Sequence, residues 1–127
     1  MARTAIGITT LTPGTAQAVP AGTTIDATNS HVLTIPRPGT PGEVVINVTN
    51  TTASTKTATL KAGVSPPALL AGAGDIVLSL TDGSTTPTRG RIGPINAARF
   101  LQADGTLLVD VAAGMTGTIE ALYIPRA

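Results

Sequence analysis

Cysteine and tryptophan are absent, histidine, tyrosine and phenylalanine occur once each (His31, Tyr123 and Phe100), and only 12% of residues are charged. Each shortage excludes something. Without cysteine there is no disulfide framework and no thiolate metal site, so the fold holds by packing alone. A single histidine and scattered acids (Asp26, Glu43, Asp75, Asp82, Asp104, Asp110, Glu120) offer no base beside a nucleophile and no ligand cluster at metal spacing. The expectation is a protein that is not an enzyme and has no cofactor. Two lone aromatics supply no platform for sugars, and both read as core anchors.

Charge is equally thin. Eight basic residues against seven acidic give a net charge of +1, with the cations spread along the chain. Nucleic-acid binding draws on a basic stripe, and the one close pair, Arg89-Gly90-Arg91, after the Thr81 to Thr88 loop, reads as arginines that are solvated or matched to carboxylates. No window approaches the roughly 20 apolar residues of a membrane helix, so no membrane partner is expected. The segment Met1-Ala2-Arg3-Thr4-Ala5-Ile6 has no apolar core of a secretory signal. The sequons Asn47-Val48-Thr49 and Asn50-Thr51-Thr52 therefore read as a polar strand end leading into a turn.

What is present is strand chemistry. The 127 residues are 42% hydrophobic, mostly Ala, Val, Ile and Leu, with a mean hydropathy of +0.31. That fits one domain with one core, and leaves apolar surface to bury against partner subunits. Val44, Ile46 and Val48 alternate with Val45, Asn47 and Thr49; Ala58, Leu60 and Ala62 alternate with Thr57, Thr59 and Lys61; Ile76, Leu78 and Leu80 repeat the pattern. Further short strands are expected at His31 to Ile35, Arg91 to Ile95, Arg99 to Gln102, Thr106 to Val111 and Gly117 to Ile124. Asp26 to Ser30 reads as an Asx-type turn, and Asp104-Gly105 as a hairpin turn. No helical period persists. The sum is an all-β chain of eight or nine strands, a single antiparallel β-sandwich of jelly-roll or Ig-like type. Residues 1–17 form an N-terminal extended arm or edge strand, and 18–127 the sandwich domain.

Two apolar stretches stand out. Between Gly63 and Gly74 the only polar side chain is Ser65, while Val64, Pro66, Pro67, Leu69 and Leu70 crowd together. This loop either covers the open end of the sandwich or makes contacts. The arm offers Ile6, Ile8 and Leu11. In a sparsely charged chain such patches are aggregation liabilities unless covered, so loop and arm are the expected subunit and partner contacts.

The order of motifs adds a resemblance. Val48-Thr49-Asn50, Lys56-Thr57-Ala58-Thr59-Leu60-Lys61-Ala62-Gly63, Pro66-Pro67-Ala68 and Gly74-Asp75 come in sequence. Ala98-Arg99-Phe100, Asp104-Gly105, Gly117-Thr118-Ile119 and Ile124-Pro125-Arg126 follow. From about Glu43 onward the chain resembles the small β-sandwich head-decoration (cement, or minor capsid) proteins of tailed bacteriophages. The resemblance implies a homotrimer, made in the host cytoplasm, on the outer surface of the virion capsid. There it would bridge neighbouring copies of the major capsid protein after the shell expands. It carries over no catalytic residue. Two other classes stay open: a tail, fibre or pilus-like structural module, and a sugar- or peptide-binding module.

Overall fold

A computed structural model describes residues 2–12, 14–34, 42–62, 74–96, 102 and 105–125. Among them there is no helix; ten strands form two sheets. They are β1 (Thr4–Ala5), β2 (Ile8–Thr10), β3 (Thr23–Thr24), β4 (His31–Thr34) and β5 (Gly42–Asn50). They continue as β6 (Lys56–Leu60), β7 (Ile76–Leu80), β8 (Thr88–Asn96), β9 (Thr106–Val111) and β10 (Gly117–Pro125). The first sheet runs β1-β4-β9-β6-β7. The second runs β2-β10-β5-β8, with β3 also paired to β10.

The chain is all-β, and its alternation decides which side chains go inside. Val44, Ile46 and Val48 of β5, with Ile119, Ala121 and Tyr123 of β10, meet Leu33, Ala58, Leu60, Leu107 and Val109 of the other sheet in one buried cluster. Two inward faces sharing one core is the packing of a β-sandwich. Where the sheets approach at β7 and β8, Gly90 leaves no room for a side chain. A Cβ there would stand 2.8 Å from a Leu80 methyl and 3.0 Å from Leu78.

The expected purely antiparallel pairing is corrected at two edges. β1 runs parallel to β4 and β2 parallel to β10, whereas the other ladders are antiparallel. The stretch expected as an arm or edge strand thus contributes one short edge strand to each sheet. Its backbone is tied in at Thr4 N–H to Ser30 O (3.0 Å), Ile6 N–H to Val32 O (2.9 Å) and Leu11 N–H to Tyr123 O (2.8 Å). The Asp26 turn is present, with Asp26 Oδ1 accepting from the Thr28 and Asn29 amides and Ser30 at φ 61°. At Gly105 (φ 81°) the chain also turns, Gly105 N–H reaching Gln102 O at 3.0 Å. Tyr123 is a core residue; Phe100 lies outside the described residues.

One end of the sandwich is organised by a buried amide. Asn50, fully buried at the end of β5, donates from Nδ2 toward the carbonyls of Thr81 (2.9 Å), Ser54 (3.2 Å) and Leu80 (3.4 Å). Its Oδ1 accepts the Thr52 N–H at 2.9 Å. Gly83 packs on its backbone so closely that a Cβ would stand 1.8 Å from Asn50 O. Asn50→Asp keeps the shape but aims carboxylate lone pairs at carbonyl oxygens. The ionised form is then disfavoured in the fold, the carboxyl pKa is raised, and stability falls as pH rises. We expect a loss of at least about 1–3 kcal/mol at neutral pH, narrowing toward about pH 4 as the group protonates. Thermal melts across pH check this; a variant as stable as the parent at neutral pH contradicts it.

Candidate functional site

The outward face of the second sheet carries a groove of about 820 Å³. Its floor comes from alternate residues of three strands: Thr118, Glu120 and Leu122 of β10, Asn47 and Thr49 of β5, and Arg89 and Arg91 of β8. One wall is residues 17–21, which overhang the sheet. Gln17 anchors the near end of this overhang, accepting from Thr12 N–H (2.7 Å) and donating to Thr10 O (3.2 Å). Gly22, at φ 89°, lies at the far end, close enough to the sheet that an added Cβ would stand 3.3 Å from Thr118 Cβ. Val19 on the overhang is 83% exposed.

Across the floor runs a polar row set by register. Glu120 pairs with Asn47 and Asn47 with Arg91, so the three side chains stand abreast. Asn47 donates from Nδ2 to Glu120 Oε1 (3.2 Å) and accepts at Oδ1 from Arg91 Nε (2.9 Å). A carboxylate only accepts and a guanidinium only donates, so the amide orientation follows from its neighbours. Glu120 Oε2 is buried and has no hydrogen-bond partner among the described residues.

The strand expected from Arg91 to Ile95 begins earlier, at Thr88, so Arg89 and Gly90 belong to β8 together with Arg91. The two arginines therefore project from one face while Gly90 turns inward. An arginine–glycine–arginine alternation was the available signal. A glycine does not register as an inward apolar position, and so the strand's start was missed.

The contact residues expected from sequence divide. Ile6 is 5% exposed and belongs to the core, so it presents nothing to a partner; removing the residues before Leu11 would strip that core. Ile8 is half-buried and packs on the same cluster. Leu11 lines the groove. Val64, Pro66, Pro67, Leu69 and Leu70 lie outside the described residues.

His31 has a structural occupation. It is fully buried, its Nε2 3.0 Å from the Asp26 N–H and its Nδ1 3.1 Å from the Thr4 carbonyl. A backbone N–H only donates, so Nε2 holds the lone pair, and Nδ1 carries the proton and donates to Thr4. Burial holds the imidazole below its ordinary value of 6.5; Arg3 acts with it, while the Thr4 bond and the Asp26 charge oppose. Asp26 itself is lowered to about 2, chiefly by the Thr4 hydroxyl and then by the Asn29 and Thr28 donors. Lys61 and Asp75 stabilise one another's charge through a 2.7 Å pair, and Ser84 donors lower Asp82. Among the described residues, no three His, Cys, Asp or Glu side chains gather as a metal site.

No protein-family model matches the chain, and neither a curated protein nor a solved structure is significantly similar to it.

The buried histidine predicts a pH dependence. Its folded pKa lies below 6.5, so the unfolded chain binds the extra proton first. The stabilisation is complete above 6.5 and is lost as pH falls through the lowered folded value. Because the chain has one histidine, melting temperature between about pH 7 and pH 5 should fall with acid in the parent and flatten in His31→Asn. An identical slope in both proteins contradicts the assignment.

Proposed function

We propose that this is a structural virion protein of the head-decoration class, a homotrimer that binds the outer surface of the expanded capsid and stabilises contacts between major capsid subunits. The observation that carries the reading is the outward face of β10, β5 and β8. It is a broad surface of hydroxyl, amide and guanidinium groups with an exposed apolar overhang at its side. Such a mixture suits burial against another protein, where arginine and apolar groups are enriched and hydrogen-bonding groups are spread across the patch.

The resemblance from Glu43 onward supports the same reading. Its segments Val48-Thr49-Asn50 and Gly117-Thr118-Ile119 are neighbouring ladder residues, joined at Gly117 to Asn50 and Thr118 to Thr49. A decoration protein acts through many copies on a symmetric shell, so modest contacts at each site add up.

Co-sedimentation tests the proposal. Purified protein should pellet with expanded heads, saturate, and stay in the supernatant with unexpanded ones, and on its own it should be a discrete oligomer. Open-ended polymers of the pure protein would indicate a tail or fibre module instead. Equal binding to both head forms, or to neither, contradicts the proposal.

A further inference from the structure

We propose that the groove docks an extended acidic segment of a protein partner, with carboxylates at alternate positions held by Arg89 and Arg91. This deepens the reading above, on which it rests, by naming the chemistry of what is bound. Arg89 and Arg91 leave the same face of β8 two residues apart, a separation of about 6.6 Å along a strand. Side chains at alternate positions of any extended partner have the same spacing. Two carboxylates on one face of such a segment therefore meet two guanidinium groups in register, each able to bond in the two-pronged carboxylate geometry.

Part of the cost of docking is met beforehand. Arg91 is held at Nε by Asn47, and Asn47 is held by Glu120, so the guanidinium is oriented before a ligand arrives. Among the described residues neither its terminal amines nor the Arg89 side chain makes a hydrogen bond or ion pair, and both arginines are exposed. On the other side of the groove, Val19, Leu11 and Leu122 offer apolar contact to the residues between the acids.

The same groups select against other occupants. A basic segment meets two like charges. An acid that slides inward meets Glu120, which keeps the carboxylates on the β8 side. A second copy approaching β8 with its own β8 would oppose arginine to arginine, a common protection of open strand edges. Two arginines beside a carboxylate do not make the basic stripe that a polyphosphate backbone needs.

The test uses the isolated full chain, isotope-labelled for NMR. It is titrated at low salt with a capped peptide of alternating glutamate and valine, with its lysine-for-glutamate counterpart, with inorganic phosphate and with a single-stranded oligonucleotide. The glutamate peptide should give saturable shifts confined to residues 17–21, Asn47, Thr49 and Arg89 to Ile92. The Arg89→Glu, Arg91→Glu double variant should bind it roughly tenfold more weakly and gain binding of the lysine peptide. Asn47→Ala should also weaken the glutamate peptide, although both arginines remain. Equal binding of the two peptides, shifts located elsewhere, or the same shifts from phosphate or oligonucleotide at equal affinity would overturn the proposal. Capsid binding is scored separately. If the double variant still decorates expanded heads like the parent and no peptide binds, the groove assignment fails and the capsid reading stands. Peptide binding without decoration does the reverse.

Discussion

At one end of the molecule several connections cross between the two sheets, and three of them meet around the buried amide of Asn50. The turn after β5 begins at Asn50 itself. The β7-to-β8 connection is bonded through Thr81 O and packed through Gly83. The β9-to-β10 connection joins at Thr116, whose carbonyl accepts from Thr51 N–H (3.0 Å) and whose N–H donates to Thr52 Oγ1 (2.8 Å). Carbonyls buried at such a crossing need donors, and one side-chain amide supplies two hydrogens where the backbone has none to spare. The inward faces then pack at a fixed separation, tight enough at β8 to demand glycine at position 90.

With the inward faces committed, β10 and β5 have only their outward faces left. Strands of a sandwich alternate strictly, so burying Ile119, Ala121 and Tyr123 presents Thr118, Glu120 and Leu122 on the other side. Packing in the core thus fixes the register of the Glu120–Asn47–Arg91 row, since a slip of one residue would turn every member inward. At the opposite edge, the Asp26–His31–Thr4 cluster fastens β1 to the first sheet. Both ring nitrogens of His31 serve that purpose.

Much of this was legible in the sequence where side chains alternate over several residues. The faces of β5, β6 and β7 follow directly from Val44/Ile46/Val48, Ala58/Leu60 and Ile76/Leu78/Leu80, and the Asp26 turn follows from its Asx chemistry. Strands of two residues, such as β1 and β3, carry no period to read. Parallel pairing of β1 and β2 is a long-range choice that local pattern does not encode. Ile6 reads as an arm residue because it stands in a Thr-rich stretch with too few apolar positions to mark a core strand; only the tertiary course of the chain returns it to the core. The groove is not legible in the sequence for a related reason. Its members Asn47, Arg91 and Glu120 lie far apart in sequence and are brought abreast by two ladders.

The function proposed here makes that outward face the contact surface, which is a claim about location. Hydrogen–deuterium exchange of the protein, free and bound to expanded heads, tests it most directly. Binding should slow exchange at residues 17–21 and along β8 from Thr88 to Ile92. The outward residues Thr57, Thr59 and Ser79 of the other sheet would exchange as in the free protein. Protection concentrated on those residues, with residues 17–21 and β8 unchanged, would contradict it.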